Sequence, residues 1–168
     1  MSVIAAKVYE DKITVAADSI LTNGWLKRNK NFSKIANING MIVGSTGTAQ
    51  EGSLMWHYME THRPASATEK DVLKFIVEFS NWKNGMGAGS CVENTYIMEF
   101  NGHLFEIEQM FVHEIFDYIA VGAGQDFATA ALYLGHSPKE AVKVACDLSC
   151  FVCEPIIEIT AERESEKK

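Results

Sequence analysis

The sequence predicts an α+β fold in which two antiparallel sheets lie between layers of helices. Short apolar segments come in pairs joined by tight turns, which is typical of antiparallel hairpins. Amphipathic helical segments also come in pairs, so the strict alternation of strand and helix that marks a parallel fold is absent. The chain has 168 residues, of which 47% are hydrophobic and 22% charged. That is enough for one domain, 1–168, and short for two.

The chain begins with a predicted hairpin. Two short runs rich in Val, Ile and Ala, 3–8 and 12–17, are separated by the polar pair Glu10–Asp11. After them we expect a polar loop, 18–33, which carries the basic cluster Lys27–Lys30. We expect that cluster to be a solvated surface feature.

A second hairpin and two helices follow. Asn39–Gly40 favours a tight turn and predicts a hairpin over 34–44. The spacing of apolar residues then predicts helices from 45 to about 62 and from Thr68 onward. The glycine-rich segment 85–89 lacks the Gly-Lys-Ser/Thr ending of a phosphate-binding loop, so we interpret it as a flexible connection.

The second half repeats the pattern of strands followed by paired helices. Asn101–Gly102 predicts the turn of a third hairpin, and Ser137, Pro138 and Glu140 form a strong helix start. The predicted elements are a hairpin over 95–107, a strand over 118–122, helices over 126–134 and 137–153, a strand over 156–159, and a charged, frayed tail over 161–168.

Charge and hydropathy exclude several classes of function. The net charge of −7 repels a phosphate backbone, so we expect no nucleic-acid partner. No apolar run approaches the roughly 18 residues of a membrane span, and the N-terminus does not resemble a signal peptide. We therefore expect a soluble, cytoplasmic protein that does not bind membranes.

The four cysteines do not form a metal-binding pattern. Cys146, Cys150 and Cys153 cluster on what looks like one helix, and Cys91 is isolated. There is neither a second Cys pair nor a suitably spaced His pair, so a structural zinc site is not predicted. We expect all four to be buried free thiols.

The N-terminus offers an unusual source of chemistry. Ser2 directly precedes the first predicted strand, with only Met1 ahead of it. Once Met1 is removed, Ser2 carries both a hydroxyl and an α-amine, whose unperturbed pKa is about 7.7–8.0. Such an amine can be neutral near pH 7 and can act as the base for its own hydroxyl. A Met-Ser start is common and would mean nothing by itself.

Several segments together resemble proteasome β-type subunits, and above all HslV-like peptidases of the N-terminal nucleophile (Ntn) hydrolase type. The resemblance extends over roughly residues 2–160. It rests on Ser2–Ala5, Val15–Ser19, Phe32–Ile35, Met41–Gly47, Tyr118–Gly124 and Ser137–Cys153. The joint spacing of Ser2, Asp18, Lys34 and Gly44 is its most specific part.

The resemblance implies a four-layer αββα sandwich and a peptidase with an N-terminal nucleophile. By this resemblance Ser2 is the nucleophile, Lys34 is held by Asp18 and activates it, and the Gly44 N–H stabilises the oxyanion. It also implies polypeptide substrates, a ring-forming homo-oligomer and a ring ATPase unfoldase as partner. No metal or organic cofactor is implied.

Three departures from the family pattern keep alternatives open. The family usually has a Thr nucleophile, a Ser where this chain has Ala123, and an Asp where it has Phe151. A catalytically inactive scaffold or assembly subunit of the same fold is therefore the second hypothesis. The third is an unrelated α+β module that binds a small ligand.

Overall fold

A computed structural model describes residues 1–29 and 31–163 of the chain. Within these residues the chain forms eleven strands and four helices. The strands are β1 Val3–Val8, β2 Lys12–Asp18, β3 Leu21–Asn23, β4 Leu26–Asn29, β5 Ile35–Ile38, β6 Met41–Thr46, β7 Thr95–Phe100, β8 His103–Glu108, β9 Phe111–Ile115, β10 Tyr118–Gly122 and β11 Ile156–Glu162. The helices are α1 Ala49–Met59, α2 Glu69–Gly85, α3 Gln125–Tyr133 and α4 Pro138–Leu148.

The N-terminal strand lies inside a four-stranded antiparallel sheet with the order β10-β1-β2-β11. The first four residues of β1, Val3 to Ala6, are fully buried. A continuous apolar run of this length is typical of a strand covered on both faces. Ile4 lies opposite Ala17 of β2 and Val121 of β10. The predicted hairpin of β1 and β2 is confirmed, and it places Ser2 at the edge of the core.

The second sheet has five antiparallel strands in the order β5-β6-β7-β8-β9. Its two Asn-Gly turns have positive φ at both central residues, 53° and 78° at Asn39 and Gly40 and 51° and 80° at Asn101 and Gly102. That conformation is the one in which Asn-Gly favours a two-residue hairpin. Both predicted hairpins are confirmed.

The two sheets pack face to face through aliphatic side chains. The four-stranded sheet contributes Ile4, Ala6, Ile13, Val15, Ala17 and Val121, and the five-stranded sheet contributes Ile35, Ile42, Ile97 and Leu104. Each large side chain in this layer stabilises the fold by about 1.5–3 kcal/mol through its removal from water.

Helices α1 and α2 cover the outer face of the five-stranded sheet. Met55 of α1 and Phe75 and Phe79 of α2 belong to the same buried cluster as residues of β6, β7 and β8. Thr48 and Thr68 cap the two helices. Helix α1 begins later than the predicted residue 45, because Ser45 and Thr46 complete strand β6.

Helices α3 and α4 cover the outer face of the four-stranded sheet, where Val3 and Ala16 meet alanine-rich helix faces. The predicted capping box of Ser137 and Glu140 begins α4. The helix ends at Leu148, five residues before the predicted end at Cys153, because Ser149 adopts an extended conformation. The two sheets and two helix layers confirm the αββα sandwich.

The cysteines differ from the sequence prediction in their exposure. All four are free, but Cys91 and Cys150 are exposed, while Cys146 and Cys153 are partly buried. Since α4 ends at Leu148, Cys150 and Cys153 lie after the helix and not on it. The expectation of four buried thiols is therefore wrong.

Three strand features were not predicted. The supposed polar loop 18–33 contains the small hairpin of β3 and β4. Strand β9 pairs with β8 at the edge of its sheet. Strand β11 continues to Glu162, so the segment predicted as a frayed tail begins within a strand. Lys30 of the basic cluster and residues 164–168 of the tail lie outside the described residues.

Two further findings concern only the described part of the chain. None of its helices is long and apolar enough to cross a membrane. It also contains no group of three or more His, Cys, Asp or Glu side chains that could hold a metal ion.

Candidate active site

A buried ion pair lies at the base of the N-terminal strand. Asp18 is the last residue of β2, and Lys34 immediately precedes β5. The Lys34 Nζ lies 2.7 Å from both carboxylate oxygens of Asp18. The Asp18 side chain is 0% exposed and the Lys34 side chain is 4% exposed. Each charge of such a pair needs its partner at contact distance, because both have lost their hydration.

Asp18 also fixes the backbone on either side of the site. Its Oδ1 accepts a hydrogen bond of 2.8 Å from the Val3 N–H, and its Oδ2 accepts one of 3.3 Å from the Ile20 N–H. One carboxylate thus joins the start of β1, the end of β2 and Lys34. Burial lowers the pKa of Lys34, and the charge of Asp18 opposes this shift.

Ser2 lies between two residues that contact this pair, Met1 and Val3, and it is held through its backbone. Ser2 is 7% exposed, and its carbonyl accepts a hydrogen bond of 3.2 Å from the Gly124 N–H. Gly122 has a φ of +95°, and a Cβ at this position would lie 2.5 Å from the Ser2 carbonyl oxygen. The glycine turn after β10 therefore fits closely around the Ser2 backbone, which only glycine permits here.

Met1 occupies the mouth of the site. The Lys34 Nζ donates a hydrogen bond of 3.1 Å to the Met1 carbonyl oxygen. Burial lowers the pKa of the Met1 α-amine, and the charge of Lys34 lowers it further. While Met1 is present, the nitrogen of Ser2 is an amide and cannot act as a base.

A cleft of about 180 Å³ opens beside these residues. One wall comes from the start of the β3–β4 hairpin, and the opposite wall comes from the turn between β6 and α1. Residues that line the cleft include Ser2, Lys34, Leu21, Thr22, Gly47 and Thr48. The cleft thus brings a hydroxyl, a buried ammonium and exposed backbone to one place.

Gly44 does not line this cleft. It lies in the middle of β6, between Ile35 of β5 and Ile97 of β7. A Cβ at Gly44 would lie 2.9 Å from Ile4 Cδ1, so the residue allows the two sheets to approach each other closely. The structure therefore moves our candidate for an oxyanion donor from Gly44 to Gly47, three residues further along the chain.

Of the predicted site residues, Ser2, Asp18 and Lys34 thus come together and Gly44 does not. Sequence reasoning missed Gly47, because Ser45–Thr48 was interpreted as the start of a helix. Burial, together with the charge of the nearby Asp18, raises the pKa of the Cys146 thiol in α4 to about 12. Ala123 is exposed and Phe151 is 38% exposed in the turn after α4.

These layers, with a buried Lys–Asp pair bonded to the start of the N-terminal strand, form a fold of the Ntn-hydrolase type. Solved structures of HslV-type proteins have this fold. The structure of Thiobacillus denitrificans BPH in complex with epoxomicin superposes with a TM-score of 0.88 at 16% sequence identity, over 96% of this chain and 99% of that one. A second Thiobacillus denitrificans BPH structure gives a TM-score of 0.87 at 15% identity, over 96% of this chain and 98% of that chain.

Eukaryotic HslV from Trypanosoma brucei is a further match, with a TM-score of 0.75 and 20% identity, over 96% of this chain and 99% of that chain. The sequence itself matches no protein-family model and no curated protein sequence. At these identities the similarity is one of fold. The resemblance to HslV predicted from sequence is confirmed at that level, and an unrelated α+β fold is no longer a supported alternative.

Proposed function

We propose that this chain is a proteasome-like peptidase subunit that hydrolyses peptide bonds with Ser2 as an N-terminal nucleophile. The observation that carries the proposal is the buried Lys34–Asp18 pair, whose Lys34 lines an open cleft together with Ser2. An ion pair that only stabilises the fold does not require an open cleft. A buried ammonium in the same cleft as a hydroxyl can activate that hydroxyl as a nucleophile.

In the proposed mechanism, removal of Met1 converts the Ser2 nitrogen into an α-amine. The amine takes the proton of the Ser2 hydroxyl while the Ser2 Oγ bonds to the substrate carbonyl carbon. Burial and the Lys34 charge favour the neutral form of an amine in these surroundings, as the lowered pKa of the Met1 amine indicates. The protonated amine then returns its proton to the leaving nitrogen, and water releases the acyl group from Ser2.

The tetrahedral intermediate needs a donor for its negatively charged oxygen. The Thr48 N–H already donates to the Asn94 side chain, at 2.7 Å. We therefore assign the oxyanion to the Gly47 N–H on the wall of the cleft. Loss of one such donor costs about 2.7–4 kcal/mol in enzymes that depend on it. The proposed chemistry uses no metal or organic cofactor.

The decisive experiment combines intact mass with labelling by epoxomicin, the compound bound in a structural neighbour. A peptide epoxyketone has two electrophilic carbons, to which one hydroxyl and one amine of the same residue can bond. We expect protein without Met1 to gain the mass of the compound and Ser2→Ala to gain none. Ser53→Ala is the matched control, because Ser53 also lines the cleft and its hydroxyl donates to the Ala49 carbonyl. Equal labelling of Ser2→Ala would refute the proposal.

An inactive scaffold of the same fold is the second candidate. The observations that favour it are Ala123 and Phe151, at positions where the resembling family has Ser and Asp. Full retention of Met1 in protein from its natural host, together with no labelling, would support this alternative.

Assembly and location are parts of the same proposal. We propose a ring-forming homo-oligomer that encloses the clefts, with a ring ATPase unfoldase as a possible partner. The support is the shared fold with HslV-type proteins. A cytoplasmic location stays a prediction from the sequence.

A further inference from the structure

A second buried ion pair lies behind the cleft wall, away from Ser2. The Glu51 carboxylate of α1 accepts a hydrogen bond of 2.7 Å from Lys83 Nζ of α2, and both side chains are at least 94% buried. It also accepts hydrogen bonds from the N–H groups of Glu93 and Asn94, at 3.0 and 2.9 Å, and from the Tyr96 hydroxyl at 3.0 Å. Burial alone would raise the pKa of Glu51, but the hydrogen bonds from Lys83 and the backbone outweigh it and lower the pKa.

This network fixes the segment that leads into β7. Lys83 Nζ donates a second hydrogen bond to the Cys91 carbonyl. Two helices therefore hold residues 91–94 from opposite ends. The pair by itself is weak evidence for a gain in stability, because a buried charge pair is often no more stabilising than apolar residues of the same volume. A role beyond stability would explain its presence.

Asn94 connects the network to the cleft. Asn94 is 1% exposed, and its Oδ1 accepts a hydrogen bond of 2.7 Å from the Thr48 N–H. Its Nδ2 donates to the Thr48 carbonyl at 2.8 Å and to the Ser45 hydroxyl at 2.9 Å. These bonds bracket Gly47 on both sides along the chain. These three hydrogen bonds of the amide are directed at the turn between β6 and α1.

Gly47 fits against Asn94 without space for a side chain. Its φ is +130°, and a Cβ at Gly47 would lie 2.1 Å from Asn94 Oδ1. The turn is thus determined by Asn94 and not by Gly47 alone, which would be free to adopt many conformations. Backbone donors in an oxyanion site must be held to within about 0.5 Å to be effective.

We infer that Asn94, itself held by the Glu51–Lys83 pair, is a positioning residue that orients the Gly47–Thr48 backbone for catalysis. The inference rests on the proposed function, and it adds a role for the Glu51–Lys83 ion pair, which is not among the residues that line the cleft. Asn94 acts through the turn and touches no reacting atom.

The test uses the assembled protein without Met1 and measures hydrolysis of short fluorogenic peptides. Asn94→Ala is expected to lower kcat by about 10²–10³, as when one oxyanion donor is lost, and to leave KM within about threefold. Asn94→Asp keeps an acceptor for the Thr48 N–H, so we expect it to retain at least tenfold more activity than Asn94→Ala. It also serves as the test variant if Asn94→Ala does not fold.

Ser80→Ala is the matched control. The Ser80 hydroxyl donates to the Ser90 carbonyl at 2.5 Å, so this variant also removes a buried hydrogen bond to the segment before β7. It leaves Asn94 and the turn untouched. We expect it to lower the melting temperature while kcat stays at the parent value. An equal loss of kcat in Ser80→Ala and Asn94→Ala would show a merely structural role and overturn the inference.

Amide hydrogen exchange separates this inference from the proposed function. Peptides that contain residues 45–49 are expected to exchange faster in Asn94→Ala, with no change in peptides from β8. Unchanged exchange there would refute the positioning of the turn. If the turn loosens but kcat stays at the parent value, Asn94 has no catalytic role. If the parent shows no Ser2-dependent hydrolysis, the proposed function itself has failed, and a loosened turn then makes Asn94 a structural residue only.

Discussion

At the scale of single residues, the site depends on two charges that have been removed from water together. Lys34 has no other carboxylate partner in the described part of the chain than Asp18, and its third contact is the Met1 carbonyl. The proposed activation of Ser2 and the stability of the fold therefore depend on the same side chain. A substitution at Lys34 tests both properties at once, and the two have to be separated.

Lys34→Ala is expected to abolish hydrolysis and also to destabilise the protein by about 3–5 kcal/mol, because Asp18 keeps a buried charge without a partner. The double variant Asp18→Asn with Lys34→Ala removes both charges, and the Asn amide oxygen can still accept the Val3 N–H. We expect it to recover much of the stability but no activity. Urea denaturation measures the first property and peptide hydrolysis the second. A stable, inactive Lys34→Ala single variant would contradict the buried-charge argument.

Glu99 is a buried carboxylate of a different kind, because among residues 1–29 and 31–163 it forms no ion pair. Glu99 is 3% exposed, and its Oε1 accepts a hydrogen bond of 2.9 Å from the Gly102 N–H. Burial raises its pKa above the ordinary 4.5, against smaller opposing effects of backbone hydrogen bonds. An acid whose pKa is higher in the folded than in the unfolded state contributes fully to the free energy of unfolding at a pH below its unfolded pKa. This contribution is lost as the pH rises through the folded pKa.

Glu99→Gln is therefore expected to raise the melting temperature at pH 7, since the amide oxygen can accept the same hydrogen bond without a charge. Each kcal/mol recovered corresponds to about 2–4 °C for a domain of this size. The gain should vanish below pH 4.5, where the parent carboxyl is protonated in both states. Calorimetry at the two pH values checks the prediction, and an equal gain at both would disprove the electrostatic cause.

At the scale of elements, the sequence predicted the regular hairpins and helices well and the irregular connections poorly. Asn39–Gly40 and Asn101–Gly102 determine their turns locally, so their hairpins could be predicted. Hairpin β3–β4 could not, because its strands of three and four residues carry polar side chains and are shaped by their tertiary neighbours.

The same difference applies to the site. Asp18 and Lys34 lie at the ends of predicted strands, and the resemblance to the family implied that Asp18 holds Lys34. The structure places the Lys34 Nζ 2.7 Å from both carboxylate oxygens of Asp18. Gly47 was missed because its conformation depends on Asn94, a residue 47 positions away in the sequence. Glycine patterns alone do not distinguish a strand glycine such as Gly44 from a turn glycine beside a cleft.

The turn after β10 offers a test of how closely an element holds Ser2, the proposed nucleophile. Gly122→Ala would place a methyl group 2.5 Å from the Ser2 carbonyl oxygen, at a φ of +95°. We expect Ser2 to shift, and epoxomicin labelling to fall at least tenfold with a loss of stability. Gly85→Ala is the control, since a Cβ at this last residue of α2 meets nothing within 4 Å. If the two variants are labelled equally, the turn does not position Ser2.

At the scale of the whole molecule, the cleft has one wall that the domain itself supports weakly. Hairpin β3–β4 forms a separate two-stranded sheet, and such a hairpin is marginally stable without further packing. Leu21 and Thr22 of this hairpin line the cleft. At its tip, Trp25 is 93% exposed and Leu26 is 66% exposed. Large apolar side chains exposed together are typical of an interaction surface.

We therefore expect a second copy of the chain to cover the hairpin tip in the proposed ring, so that assembly completes the wall of the cleft. Light scattering should give a mass that is a multiple of 18.6 kDa, and hydrolysis should elute with the oligomer. Trp25→Ser is expected to reduce both assembly and kcat/KM by at least tenfold, because it removes the apolar contact without touching the site. Met86→Ser is the matched control: Met86 is also exposed, at 58%, but lies at the end of α2, and we expect no change in either property. A fully active monomer would contradict this prediction, and an oligomer that Trp25→Ser leaves intact would place the interface elsewhere on the surface.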